Sequence, residues 1–112
     1  MSIDERIRTA LLPIVETVTP NLYEGTETEY IVYQYDEAGI LYAEDRPRMI
    51  LCRLMVHLFL PTGQNPRSLK RRIREALHDA GGTWPAVINA NDREGQHYIF
   101  ECEMLEGNEP DG

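Results

Sequence analysis

The sequence predicts an α+β domain, a two-layer sandwich in which two helices cover one face of a mainly antiparallel, four-stranded sheet. Apolar residues recur every three or four positions in two segments, as in amphipathic helices, and strand-like patterns occupy four others. The order is helix, strand, strand, helix, strand, strand, and the short connections between consecutive strands favour antiparallel pairing. With 112 residues, we expect a single domain over 1–112, ending in a frayed acidic tail at 106–112.

The first helix begins at a capping box. Ser2 and Glu5 stand three residues apart, so each side chain can satisfy a backbone N–H group at the helix start. Pro13 lies inside the helical pattern and lacks the N–H that a helix interior uses, which predicts a kink or an early end. One apolar stripe comprises Ile3, Ile7, Leu11, Ile14 and Val18.

The first strand, 29–37, is rich in β-branched and aromatic residues. The next segment, 36–48, contains Gly39 and Pro47, which we interpret as breaks. Its centre is too apolar for a solvated loop, so we expect an extended hairpin arm or a flap that packs on something. That apolar centre consists of Ile40, Leu41 and Tyr42.

The run 48–61 predicts a central strand, because apolar residues occupy one face completely and are mixed into the other. His57 lies on the mixed face between Met55 and Phe59. It is a possible ligand or base, but we interpret a lone histidine in such a setting as structural.

The second helix is predicted over 66–80. Asn65 is the expected N-cap, Pro66 suits the first helical position, and Gly81 with Gly82 supplies the C-cap.

Two strands follow the second helix. The first, 84–90, is short and contains Pro85, which indicates an edge or a strand beginning. The second, 97–105, alternates between apolar and polar residues.

The charge distribution is uneven. The chain has a formal net charge of -8, yet residues 67–74 carry five positive charges and no negative one, which leaves -13 on the rest. An acidic surface of this kind repels phosphate backbones and anionic membranes over long range.

The basic helix admits three interpretations: an ordinary solvated face, a contact surface for an acidic partner such as another copy of the chain, or a nucleic-acid contact. A strand rather than a short helix precedes it, unlike a helix-turn-helix, and it lacks the interleaved aromatic residues that stack on bases. Glu75 and Asp79 follow Arg71 by four and eight positions and can pair with arginines. The outward basic residues are Arg67, Lys70, Arg71 and Arg74.

Cys52 and Cys102 both lie in apolar strand-like runs, which indicates buried, reduced thiols; a disulfide requires their strands to be neighbours in register. The first residues mix acids and bases and do not form a secretory signal. The longest apolar run, 54–61, is far shorter than the ~20 residues of a membrane helix. We therefore expect a soluble cytoplasmic protein.

No catalytic motif stands out. The histidines lack metal-ligand spacing, the two serines lie at helix starts, and the glycines form no phosphate-binding loop. We expect neither an enzyme nor a cofactor or metal site.

In its order of segments the chain resembles the small tail-completion, or tail-terminator, proteins of tailed bacteriophages and prophages. The resemblance covers about residues 20–105, and each segment alone is a weak signal. The segments are YIVY at 30–33, Asp45 in a long connection, VHL at 56–58, AGGTW at 80–84 and HYIFE at 97–101.

This resemblance implies a non-enzymatic subunit of a ring, typically a hexamer, which caps the tail tube and docks the head connector. DNA would pass through the lumen without specific binding. The protein would assemble in the host cytoplasm and reside in the virion tail or neck. We expect the oligomer interface to use Ile40, Leu41, Tyr42, Arg67, Lys70, Arg71 and Arg74. The alternative is a small nucleic-acid- or protein-binding module that acts through the helix 66–80.

Overall fold

The computed structural model describes residues 1–108. Two helices pack on a five-stranded mixed sheet, which confirms the predicted α+β class. Within the described residues, no helix is long and apolar enough to cross a membrane. The elements are α1 (Ile3–Leu11), β1 (Val18–Pro20), β2 (Tyr30–Ala43), β3 (Arg46–Leu60), α2 (Arg67–Asp79), β4 (Ala86–Asn89) and β5 (Gln96–Gly107).

The sheet has the order β1-β2-β3-β5-β4, and every neighbouring pair is antiparallel except β1 with β2. The predicted count of four strands is wrong, because β1 is a fifth, parallel edge strand. Helix α1 ends at Leu11, just before Pro13. The buried Val18 therefore belongs to a strand rather than to the predicted helical stripe. Backbone hydrogen bonds from Ile31 N to Thr17 O (2.8 Å) and from Asn21 N to Tyr33 O (2.9 Å) hold this edge.

The core lies between the helices and one face of the sheet. Both helices contribute buried residues to the same cluster, and the inward residues of β2, β3 and β5 complete it. No helix of the described residues covers the opposite face of the sheet, which we call the open face. The fully buried core side chains with the largest volume include Tyr33, Phe100, Ile7, Leu11, Ile73 and Leu77.

Helix α1 begins with the predicted serine cap, because Ser2 Oγ accepts a hydrogen bond from Glu5 N at 3.2 Å. The other half of the predicted capping box is not formed within the described residues: the Glu5 side chain makes no hydrogen bond to Ser2 N, and Glu106 Oε2 accepts from Ile3 N at 2.7 Å. Arg6 then ties this helix to the rest of the fold. Its guanidinium donates to Ala80 O through Nη2 (2.8 Å) and to Leu105 O through Nη1 (2.6 Å). One side chain therefore joins α1 to the end of α2 and to β5.

The predicted glycine ending of α2 is present, whereas the helix starts one residue later than predicted, with Pro66 rather than Asn65 as the N-cap residue. Asn65 Oδ1 accepts from Arg67 N at 3.0 Å, which satisfies one free N–H group at the helix start. At the other end Gly81 has a φ of 105°, and Gly82 N donates to Leu77 O at 3.0 Å. This is the left-handed glycine ending that closes many helices.

The two cysteines are free and buried. Cys102 pairs with Leu54 and Cys52 with Met104, so the thiols lie two positions apart on adjacent strands and face the same core. Burial, followed by the nearby Glu103 carboxylate, raises the pKa of Cys102 to about 11.

The predicted fraying does not begin at Glu106. Strand β5 continues to Gly107, and Asn108 then donates from its backbone N to Arg48 O (3.1 Å) and from Nδ2 to Pro47 O (2.8 Å). Residues 109–112 of the predicted tail lie outside the described residues.

Candidate assembly surfaces

The hairpin formed by β2 and β3 extends beyond the rest of the sheet. The pairing of β3 with β5 stops at Met49, whereas the pairing of β2 with β3 continues to Ala43 and Arg46. Glu44 and Asp45 form the turn with φ values of 54° and 65°, as a tight two-residue hairpin turn requires. Residues 40–48 therefore form a two-stranded arm, which lies within the segment 36–48 where the sequence predicted an arm or a flap.

The predicted breaks at Gly39 and Pro47 are wrong, because both residues lie inside the hairpin ladder. A Cβ atom at position 39 would lie 2.7 Å from Pro47 Cβ, so the absence of a side chain lets the two strands approach. Proline is tolerated there because the arm has only two strands and each of them is an edge.

The arm exposes apolar side chains. Leu41 and Tyr42 are 66% and 67% exposed, and Ile40 is half-buried. Leu41 also has a φ of 55°, a backbone conformation that costs about 1–3 kcal/mol for residues other than glycine. An apolar, strained element that projects past its own core is well suited to contact with another molecule.

The predicted basic residues lie along α2. Arg67 and Arg71 are exposed, whereas Lys70 and Arg74 are half-buried. Lys70 Nζ lies 4.6 Å from the centroid of the Tyr98 ring, a cation–π contact within the chain. The Nε atom of Arg74 is buried and has no hydrogen-bond partner among residues 1–108.

The predicted ion pairs along α2 are not formed. Within residues 1–108 the only ion pair joins Arg53 Nε to Glu103 Oε2 at 4.0 Å, so Glu75 and Asp79 do not neutralise the neighbouring arginines. The positive charge of α2 is therefore not compensated by ion pairs in the described part of the chain.

The arm and the start of α2 lie at opposite ends of the molecule. Lys70 lies over Tyr98, which is near Leu58 in the register, whereas Tyr42 pairs with Pro47. The stretch of β3 between Pro47 and Leu58 spans roughly 36 Å at ~3.3 Å per residue, and the longest dimension of the molecule is 54 Å. One chain cannot bring these two surfaces together.

Sequence reasoning missed a third surface, an aromatic ladder on the open face. Tyr30, Phe59 and His97 are direct cross-strand neighbours, and their ring centroids are 4.7 and 4.2 Å apart. Tyr23 extends the ladder, with its centroid 4.4 Å from that of Tyr30. The alternation in the sequence places these residues on the outer face, but only the register brings them into one row.

His57 joins this ladder. Its Nδ1 atom lies 2.9 Å from Nε2 of His97, so the residue that the sequence presented as a lone histidine belongs to a pair. Burial lowers the pKa of both rings, and the charge of His57 lowers that of His97 further. No group of three or more possible metal ligands converges within the described residues.

Comparison with known proteins does not assign the chain to a family. No protein-family model matches the chain, and no curated protein is significantly similar to it.

Proposed function

We propose that this protein is a structural subunit that assembles head-to-tail into a ring. The observation that carries the proposal is the position of the apolar arm, which projects from one end of the molecule while the uncompensated α2 cations begin near the other. Two different adhesive surfaces on one subunit give a heterologous contact, which closes into a ring if the rotation between subunits permits.

We further propose that this ring is a tail terminator of a bacteriophage or prophage. The resemblance of residues 20–105 to tail-completion proteins supports this role. A hexamer would cap the tail tube, dock the head connector and let DNA pass through its lumen without specific binding. The formal net charge of -8 suits such a channel, since an acidic wall repels the passing genome.

The proposed role is structural rather than catalytic and needs no cofactor. Assembly would take place in the host cytoplasm, and the product would reside in the tail or neck of the virion.

The arm provides the test of assembly. Leu41→Ser combined with Tyr42→Ser removes the two exposed apolar side chains, and neither side chain is buried in the core. We expect the wild type to form an oligomer by light scattering and the double variant to be monomeric, with an unchanged circular dichroism spectrum. Leu22→Ser is the matched control, because Leu22 is also 66% exposed but lies outside the arm. Normal assembly of the double variant would reject the arm as an interface.

A nucleic-acid- or protein-binding module that acts through helix 66–80 is the second candidate, favoured by the absence of ion pairs between α2 and the other described residues. It predicts DNA binding that weakens steeply as salt increases and is lost when Arg67 and Arg71 are changed to Glu. No binding at low ionic strength would reject its nucleic-acid form.

A further inference from the structure

We infer that the outward cations of α2 dock into an acidic groove at one end of the open face of a second copy. The groove lies between the loop before β2, the loop after β3 and the turn before β5, with a volume of about 370 Å³. This inference rests on the proposed assembly and names the surface that α2 meets there.

The groove combines carboxylates with an apolar floor. Glu27, Asp92 and Glu94 line it, and Tyr30 and Phe59 of the aromatic ladder form part of its floor. No Lys or Arg is among its lining residues. Since burial lowers the pKa of the lining His97, this ring does not supply a compensating charge at neutral pH. The groove is therefore a negatively charged site with an apolar floor.

The walls of the groove are held in place by hydrogen bonds. Asp92 Oδ1 accepts from Glu94 N at 2.8 Å and from Gly95 N at 3.3 Å. Gln96 Nε2 donates to Pro61 O (3.0 Å) and to Gln64 O (2.6 Å), which joins the two walls. The carboxylates are therefore presented on a pre-organised frame, which lowers the entropic cost of binding.

The arginines of α2 match this chemistry. Arg67 and Arg71 are exposed and one helical turn apart, so they project from the same side of the helix. A guanidinium forms short, charge-assisted hydrogen bonds with carboxylates, while its aliphatic stem packs on an apolar surface. Within residues 1–108 these two arginines form no ion pair, and the lining of the groove contains carboxylates and no Lys or Arg. The two surfaces therefore have the charge complementarity that a specific contact requires.

The partner must be a second copy rather than the same chain. The ladder at the floor of the groove lies on the open face, whereas α2 packs on the opposite face through Ile73 and Leu77. Within residues 1–108, neither Arg67 nor Arg71 forms an ion pair with a carboxylate of the groove. The contact joins two different surfaces of the subunit and is therefore heterologous.

A pair of charge-reversal variants tests this contact. Glu27→Arg with Glu94→Arg makes the groove positive, and Arg67→Glu with Arg71→Glu makes that side of α2 more negative. The side chains of these four residues make no hydrogen bond and no ion pair within residues 1–108, so neither variant removes a contact of the described fold.

Each variant alone is expected to be monomeric, because like charges then face each other. An equimolar mixture is expected to assemble, because each surface of one variant is complementary to a surface of the other. Light scattering measures the mass, and native mass spectrometry reports whether the two variants alternate in equal numbers. Glu16→Arg with Glu101→Arg is the matched control; it changes the net charge equally at exposed positions outside the groove and should assemble normally.

The outcomes separate the two claims. If the groove variant assembles like the wild type, or if the mixture of monomeric variants stays monomeric, the inferred contact is wrong while assembly through the arm still stands. If the wild type itself does not assemble, the proposed function is rejected. Should circular dichroism show that an Arg variant is unfolded, Glu27→Gln with Glu94→Gln replaces it. We expect this neutral variant to weaken assembly about tenfold or more, and unchanged assembly would overturn the inference.

Discussion

The imidazoles of His57 and His97 share a single hydrogen bond, with Nδ1 of the first 2.9 Å from Nε2 of the second. One nitrogen must donate and the other accept, so the contact is lost when both rings are protonated. The pair lies against Phe59, whose ring centroid is 4.2 Å from that of His97. Protonation would therefore place positive charge beside the acidic groove and its aromatic floor.

The histidine pair predicts that the fold loses stability in mild acid. Burial lowers the pKa of both rings below the ordinary value of about 6.5, although the Asp92 carboxylate opposes this for His97. The unfolded chain therefore binds more protons, and the contribution to stability is complete above the ordinary pKa and lost as pH falls through it.

Urea unfolding at about pH 7.5 and about pH 5.5, either side of the ordinary histidine pKa, measures this effect. The free energy of unfolding should fall more for the wild type than for His57→Gln with His97→Gln, which lacks both rings of the pair and keeps only the exposed His78. Equal falls for the two proteins would show that the pair does not contribute.

We expect substitution of Asp4 to lower the free energy of unfolding more than is usual for an acidic residue near the surface. Its two carboxylate oxygens accept hydrogen bonds from the hydroxyls of Tyr33 (2.9 Å) and Tyr35 (2.8 Å). Asp4→Ala leaves both hydroxyls without this partner and should lower the free energy of unfolding by about 2 kcal/mol more than Glu5→Ala. Glu5 is the control because it also lies in the first turn of α1 but is exposed. Equal losses in denaturant titrations would contradict the role assigned to Asp4.

We expect both cysteines to react slowly with thiol reagents in the folded protein. Cys52 is fully buried and Cys102 is 6% exposed, and burial raises the pKa of both thiols. A disulfide-exchange reagent should therefore label neither residue rapidly in native buffer and both residues in concentrated guanidinium. Rapid labelling of either thiol in the native state would show that the core opens there.

Much of the fold follows from local patterns in the sequence. The serine cap at Ser2, the glycine ending at Gly81 and an extended arm within 36–48 each depend on a few neighbouring residues, and all three are present. Strand β1 was missed because Val18 continues the helical spacing of α1. Its parallel pairing with Ile31 is a contact between distant parts of the chain, which local periodicity does not encode.

The candidate surfaces likewise include features that local sequence patterns predict and features that depend on contacts between distant strands. Exposed apolar residues between strand-like runs were enough to predict the arm. The aromatic ladder and the histidine pair depend on the register of three strands, and His57 and His97 are forty positions apart in the sequence. The expected pairing of Glu75 and Asp79 with arginines failed because helical spacing places side chains on one side without requiring them to meet.

The mass of the wild-type protein in solution tests the central claim most directly. Size-exclusion chromatography with light scattering over a range of concentrations, followed by negative-stain imaging, would measure it. We expect a species of about six times the 12.9 kDa chain mass, with a central hole. A mass of 12.9 kDa at every concentration, with and without tail-tube protein, would contradict the account.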